Sequence, residues 1–139
     1  MRYYLDTNML IFMLSGTNDD ISVDIQHIFK DYANMLFASS VAVSELIFLY
    51  KNEKLKFLQF KSEEEIIKHL IEAFNVEIVY FNKHHFNVYT SLQIAQDHKD
   101  MNDHLIISQA IADKMILISS DRKFDSYKKQ ELDFVFNKR

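Results

Sequence analysis

Five short apolar runs alternate with longer segments of helical spacing, and this alternation restricts the chain more than any other feature. The runs fall at residues 2–5, 35–38, 76–81, 115–118 and 133–136. They are too short for helices and suit strands; the run 115–118 reads as a strand buried on both faces. Between them, helical spacing predicts helices over 9–14, 22–32, 41–50, 62–74, 83–95 and 102–113. Strands separated by helices pair in parallel, because a parallel crossover needs about the length of a helix. The expected fold class is α/β, a three-layer sandwich with a central, mainly parallel sheet of four to five strands flanked by helices.

The chain holds one glycine, Gly16, and no proline. Linkers usually carry those residues, so none is legible, and one domain over 1–139 is expected. Helix starts must instead be read from Ser, Thr, Asp and Asn. Asp6-Thr7-Asn8 suits the start of the first helix, and Ser39 or Ser40 that of the helix over 41–50. Ser62 ahead of Glu63-Glu64-Glu65 is a further start signal, with acids at the positive end of the helix dipole. Residues 51–60 alternate Lys with Leu and Phe and fit no single element.

Cysteine is absent, which excludes disulfides and thiolate metal sites. No apolar stretch is long enough to span a membrane, and Asp6 comes too early for a signal peptide, so a cytoplasmic location is expected. Net charge is −4, and the first fifty residues carry two basic groups against six acids. Bulk charge of this sign does not suggest a nucleic-acid binder, unless the acids gather around cations, which invert the local field.

The acids do fall where such gathering is expected. Asp6 and Asp121 follow strands, and ligands of an open parallel sheet collect outside the carboxyl ends of strands. Asp103 lies at the start of the helix over 102–113, with Asp100 just before it. Glu45 sits among Ala42, Val43, Leu46 and Ile47, where a surface acid is out of place. Carboxylates brought together repel one another, and a divalent cation removes that cost. Oxygen donors without Cys or paired His favour Mg²⁺, with Mn²⁺ as a substitute. The six histidines have no metal-ligand spacing. A metal-dependent nuclease or phosphatase is the reading these residues suggest. Taken singly, Asp6 reads first as a helix cap, Asp103 and Asp121 equally well as a cap or turn acid, Asp100 as a cap or a support to the ligands, and Asn8, Ser119 and Ser120 as turn residues. The ordered set carries the argument.

Leu5-Asp6-Thr7-Asn8, Ser44-Glu45-Leu46, the segment Asn102-Asp103-His104 with Leu105 to Ala110, and Ile118-Ser119-Ser120-Asp121 occur in the order and approximate spacing of PIN-domain ribonucleases. The chain most resembles the VapC-type toxins of bacterial toxin–antitoxin pairs, over nearly its whole length. The resemblance implies a PIN-like fold and an acidic pocket in which Asp6, Glu45, Asp103 and Asp121 hold Mg²⁺ or Mn²⁺. Asp6 and Asp103 would bind directly, and Asp121 directly or through water. Ser119 matches the supporting hydroxyl residue of the family; Asn8 and Asp100 are supporting candidates from their own positions at a strand end and a helix start. The implied activity is endoribonuclease cleavage of tRNA or other structured RNA, leaving a 5′-phosphate and a 3′-hydroxyl. The implied partners are a small antitoxin entering the groove and a second copy in a homodimer.

Two departures stand out. Many relatives have an Asp-Pro step before the third acid and an Arg after it, where this chain has Asp100-Met101-Asn102-Asp103-His104. Arg122 and Lys123, beside the last acid, are the first candidates for RNA phosphates. Lys51, Lys54, Lys56 and Lys61 read as a solvated face over apolar residues, or else the interleaved Leu55, Phe57, Leu58 and Phe60 form a clamp for an antitoxin helix. The alternatives are a catalytically silent binding module of the same fold and a metal-dependent DNA nuclease or phosphatase.

Overall fold

In the computed structural model, which describes residues 1–139, the apolar runs become β1 (Arg2–Leu5), β2 (Met35–Ser39), β3 (Val76–Val79), β4 (Ile116–Ser119) and β5 (Phe134–Phe136). They form one sheet in the order β3-β2-β1-β4-β5, and every neighbouring pair is parallel. Tyr4 stands in register with Phe37 on one side and Leu117 on the other. The chain builds outward from β1 to β3, then returns to place β4 against the free side of β1. The strand order therefore reverses between β1 and β4, and a crevice opens there beyond the strand ends.

Six α-helices flank the sheet: α1 (Thr7–Ser15), α2 (Val23–Lys30), α3 (Ser40–Lys51), α4 (Glu63–Glu72), α5 (Lys83–Ser91) and α6 (Met101–Asp113). The α/β class and the parallel sheet foreseen from the alternation are thus present, with five strands. Caps place the helices. Asp6 accepts from the Thr7 N–H, Ser39 from Val41, Ser62 from Glu65 and Asp100 from Asn102. The single glycine, Gly16, ends α1 at φ 68°, where its N–H returns to the Met13 and Phe12 carbonyls.

Alternation along β1 sends Tyr3 and Leu5 to one face and Tyr4 to the other. Tyr4 is buried, and its hydroxyl donates to Asp113 Oδ2 at 2.5 Å. His85 Nδ1 accepts from the Asn82 N–H, so Nε2 carries the proton and donates to the same Asp113 oxygen at 2.8 Å. Gln109 spans Tyr4, the Val79 carbonyl and Ser39. This network welds α5, α6 and the sheet together without leaving a buried polar group bare.

Several boundaries differ from the sequence expectations, for identifiable reasons. β3 stops at Val79, because the Phe81 N–H turns to Ser40 Oγ and Asn82 caps α5. α5 ends at Ser91 rather than near residue 95. Beyond it, the Gln93 N–H bonds Gln130 and the Ala95 N–H bonds the Tyr127 hydroxyl, so the chain crosses to another element instead of continuing the helix. Residues 52–61 leave α3 as a loop that buries Phe57 and Phe60 and exposes Lys54, Lys56 and Lys61. Lys51 pairs with Glu63 at 3.2 Å. The solvated-face reading of these lysines describes them. After β4 the chain enters a run of 3-10 turns, Arg122–Gln130, that no periodicity announced.

Candidate functional site

Each of the four acids reaches the β1/β4 crevice from a different element. Asp6 follows β1 and is only 4% exposed. It caps α1 through Oδ1, at 2.8 Å from the Thr7 nitrogen, and Oδ2 accepts from Ser119 Oγ at 2.7 Å. Asp121 follows β4 and caps the 3-10 run by accepting from Lys123. Its own N–H donates to Ser119 Oγ at 3.0 Å. Asp103 lies in the first turn of α6, but the cap there is Asp100. Glu45 is half-buried on α3, and its Oε2 accepts from Asn102 Nδ2 at 3.0 Å. Cap and site readings are therefore not exclusive: Asp6 and Asp121 do both.

Asp6 feels the charges of Asp103 and Glu45, Asp103 those of Glu45 and Asp121, and none of the four acids forms an ion pair with Lys or Arg. Among the ion pairs of the chain, the one that involves any of them joins Asp103 to His98. Burial pushes the Asp6 carboxyl up to about 7; the charges of Asp103 and Glu45 push the same way, against the lowering effects of Ser119 and the Thr7 N–H. Asp103 is likewise pushed up to about 7, first by burial, then by Asp100, Glu45 and Asp121, with Lys123 opposing. Both shifts come first from burial and then from neighbouring acids, costs that a bound cation would offset. A hard divalent cation fits the donor set of carboxylate oxygens and hydroxyls. Beside the acids runs an open groove of about 440 Å³ bordered by Ser44, Glu45, Phe48, Asn102 and Leu105.

The supporting residues are placed unevenly. Ser119 links Asp6 to Asp121, and Asn8 approaches it through Nδ2 at 3.5 Å. Asp100 acts on Asp103 by its charge and caps α6. Arg122 is turned aside: its guanidinium lies 3.8 Å over the Phe136 ring and 3.6 Å from Asp125. Lys123 is the cation whose charge reaches Asp103. His104 is buried and holds the His98 carbonyl through Nε2 at 2.8 Å, so it does not stand where an Arg would meet a phosphate.

Two residues escaped the sequence reading. Asn102, quoted only as part of a motif, holds Glu45 across the groove. His98, set aside for want of ligand spacing, meets Asp103 Oδ2 through Nε2 at 2.8 Å. Donor atoms of His98, Asp103 and Asp121 all lie within 4.8 Å of one another, and neither Asp6 nor Glu45 joins a set this tight. A lone histidine in a polar loop gives no pattern by which sequence could have found it; only the fold brings it to the acids.

A parallel sheet with acids at its switch point defines an α/β protein built around an acidic crevice. Residues 3–130 match the model of the PIN domain, and the chain belongs to that family. Its fold is shared by solved VapBC complexes. The TM-score is 0.68 at 22% identity to a chain of VapBC2 from Rickettsia felis bound to a DNA fragment from their promoter, covering 99% of this chain and 100% of that one. It is 0.65 at 17% identity to a chain of DNA-bound VapBC from Salmonella typhimurium, and 0.63 at 19% identity to one of VapBC-1 from nontypeable Haemophilus influenzae, each covering 98% of both chains. No curated protein sequence matches the chain significantly. No helix is long and apolar enough to cross a membrane.

Proposed function

We propose that the chain is a metal-dependent endoribonuclease acting as the toxin of a toxin–antitoxin pair. The observation that carries this reading is the meeting of half-buried Asp103 with Asp121, joined by the charges of buried Asp6 and of Glu45, with no Lys or Arg ion pair to any of the four. Family membership and the likeness to VapBC complexes support the toxin role and a cognate antitoxin partner; a homodimer is the assembly we propose for it.

Asp6 and Asp103 would hold Mg²⁺ or Mn²⁺, joined by Glu45 and by Asp121 directly or through water. When bound, such an ion supplies Lewis acidity toward a water and toward phosphate oxygens. Ser119 holds Asp6 through Oδ2, and Asn102 holds Glu45 through Oε2, so each carboxylate keeps a fixed place at the site. Lys123 meets the RNA backbone at the mouth; Arg122 serves it only after leaving Phe136. The groove beside Glu45 gives the strand a path past the acids, and a carboxylate there takes the proton of the attacking water.

The test uses the full chain, freed of any co-purifying partner, with total RNA in the presence and absence of Mn²⁺. Wild type should give one or a few sharp cuts whose new ends carry 5′-phosphates, and Asp6→Asn should give none while remaining folded. Equal cleavage by the two proteins rejects the assignment. Cleavage of single-stranded DNA or of phosphate monoesters in preference to RNA would reject the substrate class alone.

A further inference from the structure

We propose that Tyr127 and His98 form a positioning relay that fixes the direction of the Asp103 carboxylate. The inference rests on the reading of Asp103 as a metal-holding acid. His98 lies in the loop between α5 and α6, and Tyr127 in the 3-10 run after β4; both are buried, at 1% and 0% exposure. The Tyr127 hydroxyl lies 3.0 Å from His98 Nδ1, and His98 Nε2 lies 2.8 Å from Asp103 Oδ2.

The protons can be placed along this line. The Ala95 N–H donates to the Tyr127 oxygen at 3.1 Å, which leaves the phenolic hydrogen free to donate onward. Its one acceptor in reach is His98 Nδ1. Nδ1 is therefore bare, the hydrogen of the neutral ring sits on Nε2, and Nε2 donates to Asp103. The opposite tautomer would leave the phenolic hydrogen buried without an acceptor and would set a bare nitrogen against a carboxylate. The ring itself cannot turn away. It packs against His104 at 4.8 Å, Tyr127 at 5.4 Å and Phe124 at 5.7 Å between centroids, and His104 grips the His98 carbonyl.

One Asp103 oxygen is thus held from behind, and the other is left for the crevice. His98 in this tautomer is not itself a ligand, although it lies within ligand distance of Asp103 and Asp121. Groups that orient metal-holding side chains in this way commonly change affinity by roughly 10–100-fold when removed.

The experiment measures Mn²⁺ alone binding to the full-length protein, by the loss of the free-ion electron-resonance signal. Nitrogen couplings of the bound ion and the ring-nitrogen shifts of the metal-free protein are read alongside. Tyr127→Phe and His98→Ala should each weaken Mn²⁺ binding about tenfold. His98→Gln, whose amide N–H can replace Nε2, should restore most of it. Wild type should give a bare Nδ1, a protonated Nε2 and no imidazole nitrogen bound to Mn²⁺. A protonated Nδ1, a bound imidazole nitrogen that vanishes in His98→Gln, or folded His98→Ala with wild-type affinity would each overturn the relay. Asp103→Asn separates the two levels. If it loses Mn²⁺ binding while His98→Ala does not, the relay alone fails. If it binds Mn²⁺ as wild type does, the reading of Asp103 fails and takes the relay with it.

Discussion

Ser119 Oγ donates to Asp6 Oδ2 at 2.7 Å and accepts from the Asp121 N–H at 3.0 Å, so one hydroxyl ties the end of β1 to the turn after β4. Ser119→Ala removes both bonds inside a fully buried position. Leaving the Asp121 N–H without its partner should cost about 1–3 kcal/mol. The same change takes away the contact that most opposes the upward push on Asp6. Denaturant melts should therefore record a loss of that size, and Mn²⁺ titrations a weaker site.

Asp6→Asn should separate activity from stability. It deletes a charge that burial and neighbouring acids already disfavour. Without metal at pH 8, the variant should melt no lower than wild type while cleaving no RNA. Added Mn²⁺ should raise the melting temperature of wild type and leave that of the variant nearly unchanged, because a ligand that binds only the folded chain stabilises it. A large Mn²⁺-induced shift in Asp6→Asn would remove Asp6 from the set of ligands.

The pH dependence follows from the same group. Asp6 and Asp103 are raised to about 7, against roughly 3.9 for an unfolded Asp. Their contribution is fully present below about pH 4 and is lost as pH rises toward 7, since the folded chain there keeps protons that the unfolded chain has released. His98 and His104 act oppositely. Burial lowers both, so they favour the folded chain more as pH rises. The difference between Asp6→Asn and wild type cancels the histidines. Measured by denaturant without metal, that difference should shift in favour of the variant by on the order of 1–2 kcal/mol between pH 5.5 and 8. A difference that stays flat would show Asp6 to be an ordinary exposed acid.

How much of this was legible in the sequence depends on the range of the interaction concerned. The strands and helices were readable because burial imposes a period on neighbouring residues. Asp6 and Asp121 were readable because strand–acid–helix junctions are local, and Glu45 because an acid among Ala42, Val43 and Leu46 is conspicuous. The end of α5 was not readable, since Tyr127 and Gln130 take up the chain after Ser91 from more than thirty residues away. His98 was hidden for the same reason: its partners Tyr127 and Asp103 meet it only through the fold. Arg122 looked like a phosphate contact from its place beside Asp121, and the ring of Phe136, fourteen residues on, draws it aside.

Glycine scarcity leaves a correctable strain. Lys114 ends α6 at φ 54°, with its N–H bonded to the Ala110 and Ile111 carbonyls. A residue with a Cβ pays roughly 1–2 kcal/mol in that conformation, whereas glycine loses about 0.5–1 kcal/mol more backbone entropy on folding. Lys114 is exposed and takes part in no ion pair, so nothing else is given up. Lys114→Gly should stabilise the chain by about 0.5–1 kcal/mol in a denaturant melt. A loss of stability would mean that the lysine stem contributes packing that outweighs the backbone relief.

Asn137 supplies the contrasting case, a buried amide near the site but outside its chemistry. Its N–H donates to the Ser119 carbonyl at 2.8 Å, Nδ2 donates to the Asp20 carbonyl and to Ser120 Oγ at 2.7 Å each, and Oδ1 accepts from the Ser22 N–H at 2.8 Å. It thereby clamps the segment after β5 onto the start of α2. Asn137→Ala keeps the backbone bond but strands the half-buried Asp20 carbonyl and Ser22 N–H, at a cost of about 2–4 kcal/mol. At roughly 3–4 °C per kcal/mol for a chain of this size, the melting temperature should drop by about 6–16 °C. None of these bonds reaches Asp6, Glu45, Asp103 or Asp121, so the folded variant should bind Mn²⁺ as wild type does. Loss of Mn²⁺ affinity in Asn137→Ala but not in Ser119→Ala would reverse the roles assigned to the two residues.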